Sequence, residues 1–191
     1  MNGTISPLLF FGTAAGLSVV WLLIAVNGVK QLASNCDEAW ADVVHDLARR
    51  HELVPRLVET ARPVLSEHAE LLDGTLRASQ EAASHRSASP GDLGLDESAV
   101  SVTLQKLLGL VEQRPAVKSD AAYQRLRKEL VDVEEHLQAC RRAYNKVAKE
   151  LNRKGGAFPV SLLAGREATA RREAFELLPM GLPAPAANGR G

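Results

Sequence analysis

The sequence predicts an all-α protein, in which an N-terminal transmembrane helix precedes an up-and-down antiparallel bundle of two long and two shorter helices. Three observations predict this class. The first 29 residues carry no charged side chain, apolar residues recur at helical spacing through most of the rest, and no run alternates apolar and polar residues like a half-buried strand. The predicted domains are a signal anchor at 1–29, a helical bundle at 30–178 and a disordered tail at 179–191.

The apolar run at residues 8–26 predicts a membrane span, because about 19 residues rising about 1.5 Å each cross a hydrocarbon core of about 30 Å. No polar stripe interrupts the run, which argues against a buried core helix. A cleaved signal peptide would need a basic start and a small-residue cleavage site, and neither is evident. We therefore expect an uncleaved anchor, in which Gly12 and Gly16 form a small-x-x-x-small pair suited to a contact between two membrane helices.

Charge around the anchor predicts the side of the membrane on which the bundle lies. No basic residue precedes the apolar run, whereas Lys30, Arg49 and Arg50 follow it. Lys and Arg tend to stay on the cytoplasmic side of a membrane. The sequence therefore favours a single-pass protein with its bundle on the cytoplasmic side.

The clearest helix of the bundle begins near Ser119 and Asp120, which suit a helix cap. Apolar residues then recur at alternating steps of three and four, the spacing of a coiled-coil seam. A cysteine in such a seam is interpreted as a small buried thiol. The seam consists of Tyr123, Leu126, Leu130, Val133, Leu137, Cys140, Tyr144, Val147 and Leu151.

A second long helix is predicted from about Lys30 to Arg86, and Pro55 lies inside it. The apolar column keeps its phase on both sides of the proline, so we expect one long bent helix. A hairpin at Pro55 is the alternative, since the residue before a proline avoids helical geometry. The column consists of Trp40, Val44, Leu47, His51, Val54, Val58, Ala61, Leu65, His68 and Leu72.

The two shorter helices are predicted at about 96–113 and 161–178. The stretch SHRSASPGDLGLDES, rich in Ser, Pro and Gly, predicts a mobile loop before the first of them, and RPAVKS predicts the turn after it.

Composition and motif spacing argue against several classes of site. Lys plus Arg equals Asp plus Glu at 23 each, and aromatic residues make up only 4%, so nucleic-acid binding is not expected. The two cysteines form no C-x-x-C pair, which argues against a disulfide framework and a cysteine zinc site. We find no nucleophile motif and no phosphate-binding loop. The sequence therefore predicts no catalytic residue, no cofactor and no small-molecule substrate.

Carboxylates at i and i+4, Glu38 with Asp42 and Asp42 with Asp46, are the one pattern that resembles metal ligands on a helix. A di-iron bundle needs two Glu-x-x-His pairs, and the nearest approach is one Asp42-x-x-His45. We interpret these residues as a solvated acidic face and predict no metal site.

Several short motifs follow one another along the chain. They contain Trp40, Asp42, Arg49, Arg50, Pro55, Glu112, Pro115, Arg142, Tyr144, Asn145, Phe158 and Pro159. Their order and spacing resemble the LemA family of bacterial envelope proteins, from the anchor to about Gly165. The resemblance implies a membrane-anchored helical bundle in the bacterial cell membrane.

Two polar pairs lie within these motifs, Arg49-Arg50 and Tyr144-Asn145. We interpret them first as hydrogen bonding within the bundle, and second as binding a partner.

Three functional hypotheses from different classes remain. We expect a non-enzymatic structural or interaction protein that presents its bundle to an envelope protein or to a second copy of itself. A peripheral lipid-binding or membrane-shaping module is the alternative, because basic residues cluster between 141 and 154 and would suit lipid headgroups. An enzyme with an unrecognised site would need a pocket in which polar groups converge.

Overall fold

The computed structural model describes residues 7–85 and 89–177, and within these ranges it contains helices and no strand, as predicted. The predicted tail at 179–191 and residues 86–88 of the predicted loop lie outside the described residues. A 3₁₀ turn at Ser66–His68 leads into the second helix. The helices are α1 (Pro7–Ala61), α2 (Ala69–Ser84), α3 (Pro90–Glu112), α4 (Pro115–Lys118), α5 (Ala121–Gly155), α6 (Val160–Leu163) and α7 (Arg166–Thr169).

Helix α1 begins with the predicted apolar span. In the part of the chain that the structure describes, it is the one helix long and apolar enough to cross a membrane. Its large apolar side chains face outward: Leu17 is 72% exposed, Trp21 62% and Ile24 68%. Apolar surface of this extent is typical of a helix that contacts lipid or another protein.

The chain divides into two compact units. The first, which we call the anchor unit, comprises Met1–Glu38 and Lys146–Arg172, and the second, the bundle unit, comprises Ala39–Asn145 and Glu173–Gly191. The buried apolar side chains of the anchor unit are Val29, Ala33, Cys36, Ala148, Leu151, Val160 and Ala164.

In the bundle unit, side-chain contacts show that successive long helices run in opposite directions. The end of α1 lies beside the start of α2, where Arg62 pairs with Asp73 at 3.2 Å. The end of α2 lies beside α3, where His85 pairs with Asp96 at 2.8 Å. The end of α3 lies beside the start of α5, since Glu112 is 3.3 Å from Arg127. This is the predicted up-and-down bundle.

The core of the bundle unit draws apolar side chains from α1, α2, α3, α4 and α5. Full burial of one aliphatic side chain stabilises a fold by about 1.5–3 kcal/mol. The cluster consists of Leu53, Val54, Leu57, Val58, Ala61, Leu65, Leu72, Ala82, Val100, Leu104, Leu107, Leu108, Val111, Val117, Tyr123, Leu126, Leu130 and Val133.

Helix α1 runs through Pro55 without interruption, as expected, but its predicted extension to residue 86 is wrong. It ends at Ala61, and the chain turns back after Arg62. Burial of Val54 and Val58 beside the proline outweighs a cost of about 3 kcal/mol for proline inside a helix. The turn follows from Pro63, because the residue before a proline disfavours helical geometry.

Helix α3 begins at Pro90, so the predicted loop is wrong for residues 90–98. The Ser89 hydroxyl accepts a hydrogen bond from the Asp92 backbone N–H at 3.3 Å, and Pro90 occupies the first turn, where a missing N–H leaves nothing unpaired. The Ser-Pro sequence here starts a helix, although its composition resembles that of a loop.

The predicted helix at 161–178 is also wrong. The chain makes only the single turns α6 and α7, separated at Gly165, whose φ of 88° lies in the left-handed region. Residues 170–177, which we call the C-terminal segment, have no regular secondary structure. Their backbone groups are bonded by side chains of α5, described below.

The seam predicted on α5 is buried except at Cys140 and Val147, which are partly exposed. Cys140 is therefore not the enclosed thiol that its heptad position predicts. At this level of α5 the facing residue of α1 is a carboxylate, Asp46, which does not close over the thiol as an apolar side chain would.

Replacement of Pro55 by alanine should increase the free energy of unfolding by about 1–3 kcal/mol, because the new N–H completes the hydrogen-bond ladder of a helix that is already continuous. Chemical denaturation of the detergent-solubilised protein measures this change. Pro63→Ala is the matched control, since Pro63 lies in a turn and its replacement should give no such gain. Equal stabilisation by both variants would contradict this account of the turn.

Candidate functional site

The interior of the bundle unit holds a network of charged side chains centred on Glu97 of α3. Both Glu97 and Arg50 of α1 are 0% exposed, and Arg50 Nη1 donates to Glu97 Oε2 at 3.1 Å. Arg50 Nη2 also donates to the Ser101 hydroxyl at 2.7 Å, and Arg50 Nε lies 3.8 Å from Glu134 Oε2 on α5. Buried charges are tolerated when they are paired and hydrogen-bonded. The two terminal nitrogens of Arg50 meet this condition, whereas its Nε faces Glu134 without a hydrogen bond among the described residues.

His51 extends the network to α2. Its Nε2 lies 2.7 Å from Glu97 Oε1, and its Nδ1 lies 3.0 Å from the Ser79 hydroxyl. Each oxygen of the Glu97 carboxylate therefore has a partner on α1. Through these side chains the network joins α1, α2, α3 and α5.

The order Ser79, His51, Glu97 is that of a hydrolase triad, in which a histidine lies between a hydroxyl and a carboxylate. Accessibility argues against this chemistry here, because Ser79 is 3% exposed and a nucleophile must meet its substrate. Glu97 is also shared with Arg50, which neutralises the carboxylate. We therefore interpret the three residues as a structural connection between helices.

The helix places the two residues of the predicted Arg49-Arg50 pair on different faces. Arg50 is buried in the network, whereas Arg49, one position earlier, is exposed. Sequence reasoning identified Arg50 but missed Glu97, Ser79 and Ser101. Glu97 and Ser101 share one face of α3 at i and i+4, and that spacing was the available signal.

An aromatic cluster lies elsewhere in the bundle unit, where the C-terminal segment packs on α1 and α5. The Trp40 ring centroid is 4.9 Å from that of Tyr144 and 5.5 Å from that of Phe175, the latter edge-to-face. Phe175 is fully buried. Aromatic pairs in such geometry contribute about 0.5–1.5 kcal/mol beyond the burial of their area.

The predicted pair Tyr144-Asn145 holds the backbone of this segment. The Tyr144 hydroxyl donates to the Glu173 carbonyl at 2.9 Å. The Asn145 side chain donates to the Phe175 carbonyl at 2.9 Å and accepts from the Phe175 N–H at 2.8 Å. The Asn145 amide thereby bonds both the N–H and the C=O of one residue, as the backbone of a neighbouring β-strand would.

Gly94 of α3 lies against the same segment. A Cβ at this position would come within 2.3 Å of the Glu176 carbonyl oxygen, which is shorter than any real contact. Only glycine allows the backbone to approach this closely.

The anchor unit contains a second pairing of this kind. Asn152 of α5 donates to the Arg172 carbonyl and accepts from the Arg172 N–H, both at 2.8 Å. The Arg172 guanidinium lies 2.8 Å from the Asp37 carboxylate. Asn152 was not among the predicted site residues, although it follows Asn145 by one heptad on α5.

The remaining predicted residues are distributed over the surface. Asp42, Pro115 and Arg142 are exposed, Glu112 pairs with Arg127, and Phe158 is 80% exposed. Beyond the adjacent backbone of α1, nothing among the described residues lies within 4 Å of the position that a Cβ at Gly12 or Gly16 would occupy, so both glycines lie on open surface of α1.

A third group brings together Asp46 of α1 with His136 and Cys140 of α5. Asp46 was expected on a solvated face, but it is 1% exposed, because α5 covers this part of α1. His136 Nδ1 contacts Asp46 Oδ2 directly and lies 3.7 Å from Cys140 Sγ. Burial and the neighbouring charges of Asp46 and Asp42 raise the pKa of the Cys140 thiol to about 11, which keeps it protonated at neutral pH.

Replacement of Glu97 by alanine should lower the free energy of unfolding by about 3–5 kcal/mol, because Arg50 would remain buried without its closest ion-pair partner. Chemical denaturation measures the loss. Glu52→Ala is the control, since Glu52 is exposed on α1 and its removal should change stability by no more than about 0.5 kcal/mol. Labelling of native Ser79 by a serine-directed fluorophosphonate would contradict the structural interpretation.

Comparison with known proteins agrees with the resemblance of the motifs. The model of the LemA family matches residues 39–182, which is most of the chain, and this stretch includes the buried network, the aromatic cluster and the Asn145 pairing. No curated protein matches the chain significantly. The chain belongs to the LemA family.

Proposed function

We propose that this LemA-family protein is a non-enzymatic, single-pass membrane protein that presents its helical bundle to a protein partner of the bacterial cell envelope. Helix α1 anchors it, and α3 supplies the contact surface. The side chains best suited to chemistry, Ser79, His51 and Glu97, are bonded to one another in the interior. Their placement supports a structural role.

The outward face of α3 is the observation that carries this proposal. Leu95 is 73% exposed, Val102 is 40% exposed, and Ala99 between them is also exposed. These residues follow the i, i+4, i+7 spacing of one helix face, opposite the face that enters the core. A helix that is apolar on both faces usually has both faces covered, so the outward face suits a partner helix.

The proposed location is the inner membrane, with the bundle on the cytoplasmic side. The apolar side chains of α1 are exposed along the span, and the first basic residue after it is Lys30. Family membership and the apolar helix both support association with a membrane.

A second candidate function, contact with lipid, is favoured by an observation in the anchor unit. Phe158 is 80% exposed, Leu162 75% and Leu163 54%. Pro159 lines a surface groove with Leu17, Ser18, Trp21 and Leu22 of the apolar span. Exposed apolar residues beside a membrane-spanning stretch are typical of a segment that enters the bilayer interface.

The basic end of α5 supports the same candidate. Lys149, Arg153 and Lys154 are exposed shortly before Phe158. Each basic residue near an anionic membrane surface contributes about 1 kcal/mol of attraction. Under this candidate function the segment from 158 to 163 binds lipid.

Photo-crosslinking in native membranes distinguishes the two functions. A photoreactive amino acid at Leu95 or Val102 should give protein adducts of defined mass, since α3 would lie against its partner, whether another protein or a second copy of the chain. The same amino acid at Leu162 should give lipid adducts if the second function holds.

Position 128 on α5 is the matched control, because Lys128 is exposed on a helix face that carries no apolar stripe. Val102→Glu in the chain labelled at Leu95 should abolish the protein adduct. Absence of protein adducts at both α3 positions would contradict the partner-presenting role.

Protease treatment of a carboxy-terminal tag tests the sidedness. The tag should be protected in intact cells and in spheroplasts and should be cleaved in inverted vesicles, because the bundle would face the cytoplasm. Cleavage in spheroplasts would reverse the proposed orientation.

A further inference from the structure

We propose that Asp46, His136 and Cys140 form a binding site for a divalent transition-metal ion of the Zn²⁺ type. The three side chains supply one oxygen, one nitrogen and one sulfur ligand atom, and these atoms all lie within 4.8 Å of one another. Zn²⁺ binds this combination of carboxylate, imidazole and thiolate. The site lies within the bundle unit and does not depend on the function proposed above.

The helical spacing of two of the ligands suits a metal. His136 and Cys140 are separated by one turn of α5, so their side chains project from the same face. His136 Nδ1 and Cys140 Sγ are 3.7 Å apart. In a tetrahedral zinc site with metal–ligand bonds of about 2.0–2.3 Å, neighbouring nitrogen and sulfur ligands lie about 3.6 Å apart.

The Asp46 carboxylate supplies the independent observation that points to a ligand. Asp46 is only 1% exposed, and no nitrogen or oxygen donor among the described residues bonds its Oδ1, so beyond His136 on Oδ2 the carboxylate interacts only with the Cys140 thiol, a weak donor. A buried carboxylate oxygen without a partner is costly, and in folded proteins such an atom is often paired with a bound ion. A cation at this position would pair with Asp46 Oδ1.

The exposed position of His136 allows an ion to enter. The His136 side chain is 64% exposed, so the imidazole can move away from the direct contact that it now makes with Asp46. A small outward movement gives the separation of about 3.4 Å that oxygen and nitrogen ligands have around zinc. The cluster supplies three ligand atoms, so water would complete a tetrahedral site.

Binding would replace the thiol proton by the metal. The Cys140 S–H bond breaks, the proton passes to solvent, and the thiolate electron pair forms the bond to the ion. The cation also opposes the negative charges of Asp46 and Asp42, which otherwise disfavour the thiolate. The lack of a C-x-x-C pair argues against a zinc site on one segment, whereas these ligands come from α1 and α5, up to 94 positions apart in the sequence.

Titration of the chelator-treated full-length protein in detergent with Co²⁺ tests the site. We expect one Co²⁺ per chain and a thiolate-to-cobalt charge-transfer band in the near ultraviolet, which Zn²⁺ then displaces. Cys140→Ser should abolish the band, and His136→Ala should weaken binding at least tenfold. Cys36→Ala and His45→Ala are the controls, because neither residue belongs to the cluster, and both should retain the band.

A second measurement does not depend on the cobalt absorption band. Zn²⁺ should raise the melting temperature of the native protein and of Cys36→Ala, since it would bridge α1 to α5, and it should not raise that of Cys140→Ser. The proposal is overturned by the absence of one-to-one binding, by a band that persists in Cys140→Ser, or by a band that is lost in Cys36→Ala.

Discussion

The buried Glu97 carboxylate is the group on which the interior of the bundle unit depends. Arg50 holds one of its oxygens and His51 the other, and neither the carboxylate nor the guanidinium has access to water. Removal of a single partner leaves a charge in a medium of low polarity, so the group is stable only when the helices are fully assembled. A shift of α3 by one turn along α1 would separate Glu97 from both Arg50 and His51. The network therefore selects one register among the many that an aliphatic seam alone would tolerate.

Two kinds of contact complete the bundle unit. Around Glu97 the helices are joined by side chains bonded to side chains, whereas the C-terminal segment is joined to α5 by side chains bonded to backbone. The second arrangement lets a segment without helical hydrogen bonds become part of the fold, because Tyr144 and Asn145 supply the partners that a helix would supply internally. Phe175 adds apolar burial against Trp40.

Local periodicity explains what the sequence could predict. The seam of α5 was predictable from its regular apolar spacing. The passage of α1 through Pro55 was also predictable, since burial of apolar side chains at regular spacing outweighs the cost of one proline. The end of α1 at Ala61 was not predictable, because the apolar column continues in phase through Leu65 and Leu72, while the turn depends on Pro63. Residues 170–177 were misassigned to a helix, since their conformation depends on bonds from Asn145, 30 positions away.

The candidate sites were less predictable for a related reason. A charged residue in an amphipathic pattern is ordinarily exposed, so Glu97 and Asp46 gave no local sign of burial. Their partners lie on other helices, and a single sequence does not show such pairings. Arg50 and Asn145 were identified only through the motifs of the LemA resemblance, which named the residues without their contacts.

The way in which α5 holds the C-terminal segment has a consequence for variation among related chains. Tyr144 and Asn145 bond main-chain atoms of residues 173 and 175, so these bonds do not depend on which side chains stand there. The length of the segment does matter, because the backbone at residue 176 must lie against Gly94 and the ring of Phe175 must reach Trp40. Apart from the buried Phe175 and Leu177, substitutions should therefore accumulate in this segment while insertions and deletions are eliminated, so that it diverges in composition and stays constant in length.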